Sequence, residues 1–521
     1  MPPPTLYALC QQQILNMLKM GVWSKCTDNP FKSLPTKFVN DLADSMYSMP
    51  SHSLLNIEEA QLLLTSGKLK RLDLRCFKNN RKDDFLSEEL CAVPEVLYFM
   101  ISENKYNYKR ARLDHQKSEN DKVILQMVST ESCENLQTFV SSPYTAVAAS
   151  TIETLILASP NMENIHTSTP FDLNFLHHHA RIRNLILHMD ICTVFSCGGV
   201  KVIPLLKSLK NLETFSVYAA EKYNCETYSY FIKEVLRACP NLISVGFADC
   251  SFAIYNCPSE FKLKRCFWGF KINQFTIPET SAYFTNFSEI IRKSALSCPQ
   301  IEELKMQVYN SSSLRHLALL KQLTVLDLHF PLFDHSDLGS FLSLLFNIGR
   351  QIKHLSVNVL GPYTDHTNTR VPVNVICNLC VNLESLTVKG STVSEPVEPC
   401  ASLNHLKRLH VSDADEKSLT FLFQNCTSLN ELFLKSFGLN DSLLATLLSK
   451  NSLENLKTFC LIHHHISQEG IKLLMRSAKN LERLCVKNIT DTIKMMKLDV
   501  STSDNLWFSE YFKRRFSNCG F

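Results

Sequence analysis

One short apolar pattern recurs along most of this 521-residue chain and limits the folds open to it. The pattern is apolar-x-x-apolar-x-apolar, and Leu323, Leu326 and Leu328 form a representative copy. From Ile152 onward its copies begin 22 to 31 residues apart, if one gap of 59 residues is counted as two repeats. Alternation over the last positions is typical of a short strand with one buried side. One such strand cannot bury its apolar side chains alone, whereas a stack of repeated units can.

A repeat of this length and signature predicts a leucine-rich-repeat solenoid of the α/β class, in which a curved parallel sheet carries outer helices. Helical spacing follows several strands, for example in 230–236 and 443–448. We expect the solenoid to occupy residues 49–487, with an irregular region around 76–150 that is rich in Asn, Lys and Asp. Residues 488–521 are expected to form a C-terminal cap.

The chain has 20 cysteines, and its start lacks the basic and apolar segments of a secretory signal. These two features favour free thiols in a reducing compartment, so we expect a cytoplasmic or nuclear protein. Five cysteines stand three residues before the first apolar position of a repeat: Cys133, Cys239, Cys298, Cys380 and Cys426. Because free cysteine buries readily, we expect these thiols to fill the turn between helix and strand rather than to bind metal.

Composition and motifs give no support for catalysis or for binding to nucleic acid or membranes. The formal net charge is only +4, and no apolar run reaches the about 18 residues that a membrane helix needs. Neither a glycine-rich phosphate loop nor a hydrolase or metalloprotease motif occurs. The histidine triplets 177–179 and 463–465 are adjacent residues whose side chains diverge, which disfavours a metal site. We therefore expect no enzymatic activity, no cofactor and no metal.

Two short apolar patterns precede the repeats, and each is expected to form one helix of a small all-α box over residues 1–48. In the first, Thr5 is a candidate N-cap. The stripe that follows consists of Leu6, Leu9, Cys10, Ile14, Met17 and Leu18. In the second, Ser33 is a candidate N-cap and Pro35 stands in the first turn. Residues four apart lie on the same side of a helix, so each pattern presents one narrow apolar edge.

Both patterns have counterparts in a known family. The first, Thr5-Leu6-x-x-x-Cys10-x-x-x-Ile14, resembles the box by which substrate receptors bind elongin C. The second, Leu34-Pro35-x-x-Phe38-x-x-x-Leu42, resembles the cullin-2 box and follows in that family's order. A pair of such boxes ahead of leucine-rich repeats is similar to the zyg-eleven-like substrate receptors of cullin-2 ubiquitin ligases.

The resemblance implies a non-catalytic ubiquitin-ligase subunit whose partners are elongin C with elongin B, and cullin-2 with its RING subunit. It implies that elongin C is bound by Thr5, Leu6, Leu9, Cys10 and Ile14. It implies that the cullin is bound by Leu34, Pro35, Phe38 and Leu42. Those receptors follow their repeats with an armadillo-like domain, whereas here the repeat spacing continues to Leu481, so their mode of degron capture is not carried over.

Side chains between and just after the core positions of each strand are expected to face away from the core and to contact a protein substrate. The candidate substrate face consists of Tyr218, Lys305, Asp327, His329, Lys389, His410, Phe433 and Lys435. This mixed, partly apolar surface suits a peptide or a protein. Nothing in it names a particular substrate, because it contains no readable motif.

Two alternatives remain open from the sequence. Leu34-Pro35 followed by apolar residues also resembles the start of an F-box, which would bind a Skp-type adaptor of a cullin-1 ligase, although the later tryptophan-bearing end is missing. The other alternative is a plain leucine-rich-repeat scaffold or inhibitor whose first two helices only cap the stack. A capping role predicts that Leu6 and Phe38 are buried, and a receptor role predicts that they are exposed.

Overall fold

A computed structural model provides the fold, and its described residues form two compact units, 5–246 and 249–487. The structure describes residues 5–23, 26, 28–47, 55–77, 118–141, 147–190, 202–218, 225–246, 249–257, 260–269, 286–331, 333–359, 370–389, 391–393, 403–435, 438–451, 453–462 and 465–487. The predicted C-terminal cap, 488–521, lies outside these residues.

The first unit begins with short helices and continues as a series of strands. The helices of its N-terminal part are α1 Leu6–Lys19, a 3-10 helix Pro30–Lys32, α2 Thr36–Tyr47 and α3 Gln61–Leu64. The strands are β1 Arg71–Asp73, β2 Thr138–Val140, β3 Asn164–Thr167, β4 Asn184–Asp190, β5 Thr214–Tyr218 and β6 Ser244–Gly246. Between them lie the 3-10 helix Leu74–Cys76, α4 Glu119–Ser129, α5 Ala149–Leu157, the 3-10 helix Leu173–His178, α6 Val202–Ser208 and α7 Cys225–Ala238. Each strand pairs in parallel with the next one along the chain.

The second unit repeats the same arrangement. Its first strands are β7 Arg265–Trp268, β8 Glu303–Gln307, β9 Val325–Phe330 and β10 His354–Val359. Its later strands are β11 Val371–Pro372, β12 Ser385–Lys389, β13 Ser391–Thr392, β14 Arg408–Ser412, β15 Glu431–Lys435, β16 Thr458–Ile462 and β17 Arg483–Lys487. Its helices are α8 Ser251–Tyr255, α9 Phe287–Ser297, the 3-10 helices Ser311–Leu319 and Gly349–Gln351, α10 His335–Ile348, α11 Val373–Leu379, α12 Glu416–Asn425, α13 Asp441–Lys450 and α14 Gln468–Ser477. The main strands pair in parallel in chain order, while β11 and β13 form a separate small pair.

The repeated leucines form the core, as the pattern predicts. Leu323, Leu326 and Leu328 are completely buried. The five cysteines that precede the strands are buried as well, which confirms the prediction that they fill the helix-to-strand turn. Parallel strands in chain order, with helices between them, also confirm the predicted α/β repeat class.

The two N-terminal helices begin differently from each other. Thr5 caps α1, because its Oγ1 accepts a hydrogen bond from the amide of Ala8 at 3.2 Å. The prediction that Ser33 caps the second helix is wrong. Ser33 ends the preceding 3-10 helix, and α2 begins three residues later, directly after Pro35.

Helix α2 packs onto the edge of the first strand and belongs to the first compact unit. The Tyr47 hydroxyl donates a hydrogen bond to the carbonyl of Arg71 at 2.8 Å. The Asn40 amide donates to the carbonyl of Lys68 and accepts from the amide of Lys70, both at 2.9 Å. These bonds satisfy backbone groups beside β1 and fix the box against the repeats.

Two expectations about the early repeats are corrected. Residues 152–157, which match the strand pattern, form part of the helix α5, and the strand of that repeat is β3. The predicted irregular region is regular where the structure describes its later part, because α4 and β2 lie within 118–141 and β2 pairs with β1 and β3.

Candidate partner-binding surfaces

Helix α1 has two different apolar edges. One edge, formed by Leu15 and Leu18 together with Gln11, is buried in the first unit. The other carries Leu6 and Leu9, which are 77% and 47% exposed. The sequence stripe that places Leu18 beside Leu6 therefore merges two sides of the helix.

The elongin-type motif lies on the exposed edge of α1. Thr5, Leu6, Leu9 and Cys10 are exposed, and Ile14 is half-buried. No buried side chain occurs among the described residues before Gln11. An apolar edge left open to water in this way is a feature of surfaces that bind another protein.

The cullin-type motif is only partly accessible. Pro35 is exposed, while Leu34 and Phe38 are half-buried. Leu42 is 0% exposed and belongs to the core with Val39. The structure therefore removes Leu42 from the surface that a partner can reach, since the α2 stripe that contains it faces the repeats.

A groove lies between the two motifs, lined by Tyr7, Leu34, Pro35, Lys37, Phe38 and Asp41. The Tyr7 ring meets the Phe38 ring edge-on, with 5.6 Å between centroids and 82° between planes. The Tyr7 hydroxyl donates to Oδ2 of Asp41 at 2.7 Å, and this hydrogen bond raises the pKa of Tyr7. Sequence reasoning did not single out Tyr7 or Asp41, because both stand at positions where the motifs set no requirement.

The second unit brings several of the predicted substrate-face residues together around Asp327. Its Oδ1 lies 3.1 Å from Nε2 of His329 and accepts from the Asn358 amide at 3.1 Å. The Lys305 ammonium lies 3.5 Å from Oδ2. Burial acts to raise the pKa of Asp327, but His329 and Lys305 hold that pKa well below its usual range. The carboxylate therefore stays ionised and orders the polar groups of β8, β9 and β10.

Glu303 is a titratable neighbour of this network. Burial raises the pKa of its carboxyl to about 7, with Arg265 opposing and Asp327 adding to the increase. Arg265 lies 3.5 Å from Glu303 and is its partner in the register of β7 and β8. This part of the face thus contains an acid that changes charge near neutral pH.

The remaining candidates lie on β12, β14 and β15. Lys389, Ser412 and Lys435 follow one another in the register of these strands, so two lysines flank a serine. His410 contacts Phe433, with 3.9 Å between ring centroids. Strand spacing of about 4.8 Å places the two lysine backbones roughly 10 Å apart.

Burial narrows the predicted substrate face. His329 and Phe433 are 3% and 6% exposed, so they support their neighbours more than they present a contact surface. The accessible candidates of the second unit are Lys305, Asp327, Lys389, His410 and Lys435. Tyr218 lies on β5 in the first unit, and its side chain is outside the described part of the chain.

The described residues contain neither a candidate metal site nor a helix that could span a bilayer. No group of three or more His, Cys, Asp or Glu residues converges there. Burial raises the pKa of the thiols of Cys133 and Cys380 to about 12, which keeps them protonated and unreactive at neutral pH. None of the helices in these ranges is long and apolar enough to cross a lipid bilayer.

The strands pair in parallel in chain order, leucines occupy fixed core positions, and a helix or turn follows each strand. These features define a leucine-rich-repeat protein. Neither a family model nor a curated protein matches the sequence.

Solved structures resemble this chain at low sequence identity. The crystal structure of the Rad7 and Elc1 complex in yeast is 14% identical, covers 90% of this chain and 96% of its own, and gives a TM-score of 0.40. An internalin (inlF) from Listeria monocytogenes is 12% identical over 74% of this chain and 94% of its own, with a TM-score of 0.30. A leucine-rich-repeat protein of Leptospira interrogans is 12% identical over 69% of this chain and 91% of its own, with a TM-score of 0.27.

Proposed function

We propose that this protein is the substrate-recognition subunit of a cullin-2 RING ubiquitin ligase. The exposed edge of α1 binds elongin C, which is joined to elongin B, and the start of α2 contacts the cullin. The observation that carries the proposal is the exposure of Leu6, Leu9 and Cys10 on a helix whose opposite edge is buried.

The energy of the proposed contact comes from burial of this apolar edge. Leu6 is 77% exposed in the isolated chain, and transfer of such a side chain into an apolar pocket contributes about 1.5–3 kcal/mol. Leu9 and Cys10 lie one turn further along α1 and extend the same contact. Leu34, Pro35 and Phe38 provide the accessible part of the cullin-binding surface, without Leu42.

The protein contributes proximity rather than bond chemistry. The cullin carries a RING subunit, and the repeats hold a protein substrate near the enzyme that the RING subunit recruits. Holding two reactants in one assembly converts an encounter in solution into an effectively intramolecular one. The substrate contacts proposed for the second unit are Lys305, Asp327, Lys389, His410 and Lys435. The assembly is proposed to act in the cytoplasm or the nucleus.

A scaffold whose N-terminal helices cap the repeats is the second candidate, and the burial of α2 favours it. Val39, Leu42 and Met46 are buried, as a capping helix requires. That role does not explain why Leu6 and Leu9 remain in water, since a cap buries its apolar side chains. The F-box alternative leaves Leu6 and Cys10 unexplained.

The test is co-purification of the full chain with elongin B/C and cullin-2. We expect Leu6→Ser combined with Cys10→Phe to abolish retention of elongin B/C, because both changes fall on the exposed edge of α1. Since neither side chain is buried, the circular dichroism spectrum and the melting temperature should stay unchanged. A change of Pro35 and Phe38 should reduce retention of cullin-2 and leave elongin retention intact.

Leu157→Ser provides a matched control, because Leu157 is an exposed leucine on the distant helix α5. This variant should retain elongin B/C fully. Unchanged elongin retention by the α1 double variant, or its unfolding, would contradict the proposed function.

A further inference from the structure

Tyr7 belongs by position to the first motif but makes its contacts with the second. It lies between Leu6 and Cys10 on α1, at a position where the elongin-type motif accepts any residue. Its ring packs edge-on against Phe38, and its hydroxyl donates to the Asp41 carboxylate at 2.7 Å. The contact joins residues 34 positions apart in the chain.

This contact matters because the first part of α1 has no buried side chain. Residues Thr5 to Cys10 are all exposed, and the first buried side chain of the helix is Gln11. The Tyr7 contact with α2 therefore holds the segment of α1 that carries Leu6 and Leu9. An edge-to-face ring pair and a charge-assisted hydrogen bond both have preferred geometries, so together they fix an angle as well as a distance.

We propose that Tyr7 is a positioning residue, which uses Asp41 and Phe38 to hold the elongin-binding edge of α1 at a fixed angle to the cullin-binding start of α2. This inference rests on the proposed function. With the angle fixed, an adaptor bound to Leu6 and Leu9 faces the same cullin molecule that contacts Leu34 and Pro35. Loss of the contact leaves each surface intact but lets the two turn relative to each other.

Loss of the Tyr7 contact should therefore weaken the binding of cullin-2 and leave the binding of elongin B/C unchanged. Elongin B/C contacts α1 alone, so its affinity does not depend on the orientation of α2. Cullin-2 contacts both the adaptor and α2. If the angle between α1 and α2 is not already fixed, cullin-2 binding has to fix it, and its affinity for the preformed complex falls by that cost. Loss of one hydrogen bond to a charged group at an exposed site changes such an affinity by roughly twofold to tenfold.

The experiment measures cullin-2 binding to the complex of the full chain with elongin B/C. We expect Tyr7→Phe, which removes only the hydroxyl, to weaken cullin-2 binding roughly twofold to tenfold. Asp41→Ala should have a similar effect, because it removes the acceptor. Asp41→Asn keeps an acceptor oxygen and should restore most of the affinity. The double variant of Tyr7→Phe with Asp41→Ala should lose no more than either single change, since both remove the same bond.

Two matched controls test whether the loss of cullin-2 binding is specific to the contact between Tyr7 and Asp41. Tyr230→Phe removes a hydroxyl from an exposed tyrosine on the remote helix α7. Asp44→Ala removes an exposed carboxylate from α2, one turn after Asp41. Both should bind elongin B/C and cullin-2 as the unaltered chain does. The melting temperature of Tyr7→Phe should also match that of the unaltered chain.

The possible outcomes lead to different conclusions. If the unaltered chain fails to retain elongin B/C, the proposed function fails, and this inference fails with it. If elongin B/C binds and Tyr7→Phe leaves cullin-2 affinity unchanged, only the positioning role is overturned. It is also overturned if Tyr7→Phe weakens elongin B/C by the same factor as cullin-2, because Tyr7 is then part of the adaptor contact.

Discussion

Asparagine side chains connect successive repeats through the backbone carbonyls of the preceding turn. Each donates its amide to a carbonyl in the neighbouring repeat, as Asn211 does to Ala180 at 2.8 Å and Asn382 does to Arg350 at 2.7 Å. The same bond is made by Asn135, Asn161, Asn455 and Asn480. Each of these residues directly precedes the first apolar position of its repeat, so the sequence contains a signal that the leucine pattern alone overlooks.

A related residue, Asn451, gives a prediction at this scale. Its amide donates to the carbonyls of Phe423 and Cys426 at 2.9 and 2.8 Å, and its oxygen accepts from the amide of Leu453. We expect Asn451→Ala to lower the free energy of unfolding by about 1–3 kcal/mol, because it leaves these partly buried groups without partners. Urea unfolding followed by circular dichroism measures the change.

Asn347→Ala is the control for this prediction. Asn347 is exposed, and it donates to the carbonyl of Ser343 within its own helix, α10, rather than to a neighbouring repeat. Its loss should change the free energy of unfolding by less than about 0.5 kcal/mol. Equal changes in the free energy of unfolding would show that hydrogen bonds between repeats stabilise the protein no more than a hydrogen bond within one helix.

At the scale of elements, α1 shows how one helix can serve a core and a partner at once. Its buried edge has residues 11, 15 and 18, and its exposed edge has residues 6, 9 and 10. Both edges follow spacings of three and four residues, so periodicity predicts the helix but cannot choose which edge is buried. The packing of α1 in the first unit makes that choice.

Because one edge of α1 is buried and the other exposed, we expect alanine substitutions of two of its leucines to affect stability to very different extents. Leu15→Ala should lower the free energy of unfolding by about 2–5 kcal/mol, because Leu15 is buried and its loss leaves a cavity. Leu9→Ala should change it by less than about 0.5 kcal/mol, because Leu9 is 47% exposed. Thermal and urea denaturation of the two variants measure this difference. A large destabilisation by Leu9→Ala would indicate that the α1 edge proposed to bind elongin C is part of the core.

The helix α5 shows where local patterns mislead. Residues 152, 155 and 157 match the strand pattern, yet Ile152, Leu155 and Ile156 also recur at helical spacing and are buried as one side of α5. The true strand, β3, has Ile165 at its centre and a threonine at its end, which makes its pattern weaker. A short apolar run is compatible with either structure, and packing against the neighbouring repeat decides between them.

At the scale of the whole molecule, burial predicts which thiols react. The structure describes the burial of thirteen cysteine side chains, and only Cys10 and Cys26 among them are exposed. We expect iodoacetamide at neutral pH to alkylate these two first among the thirteen, since the others react only after local opening. Mass spectrometry of proteolytic peptides measures the order.

The same measurement tests the proposed elongin contact. Added elongin B/C should slow alkylation of Cys10, which lies on the exposed edge of α1, and leave Cys26 unchanged as an internal control. Equal rates at Cys10 with and without elongin B/C would contradict the proposed contact. Protection of both thiols would point to a broader rearrangement than binding along α1.

The sequence by itself determined the repeat class, the core leucines, the buried cysteines and the existence of the two N-terminal helices. These features depend on spacing over a few residues, which is local information. The tertiary structure alone decided that Leu42 is buried, which edge of α1 meets water, and that Tyr7 reaches Asp41. The physical reason is that several faces of a helix can be apolar, and only contact with distant parts of the chain selects the one that remains available to a partner.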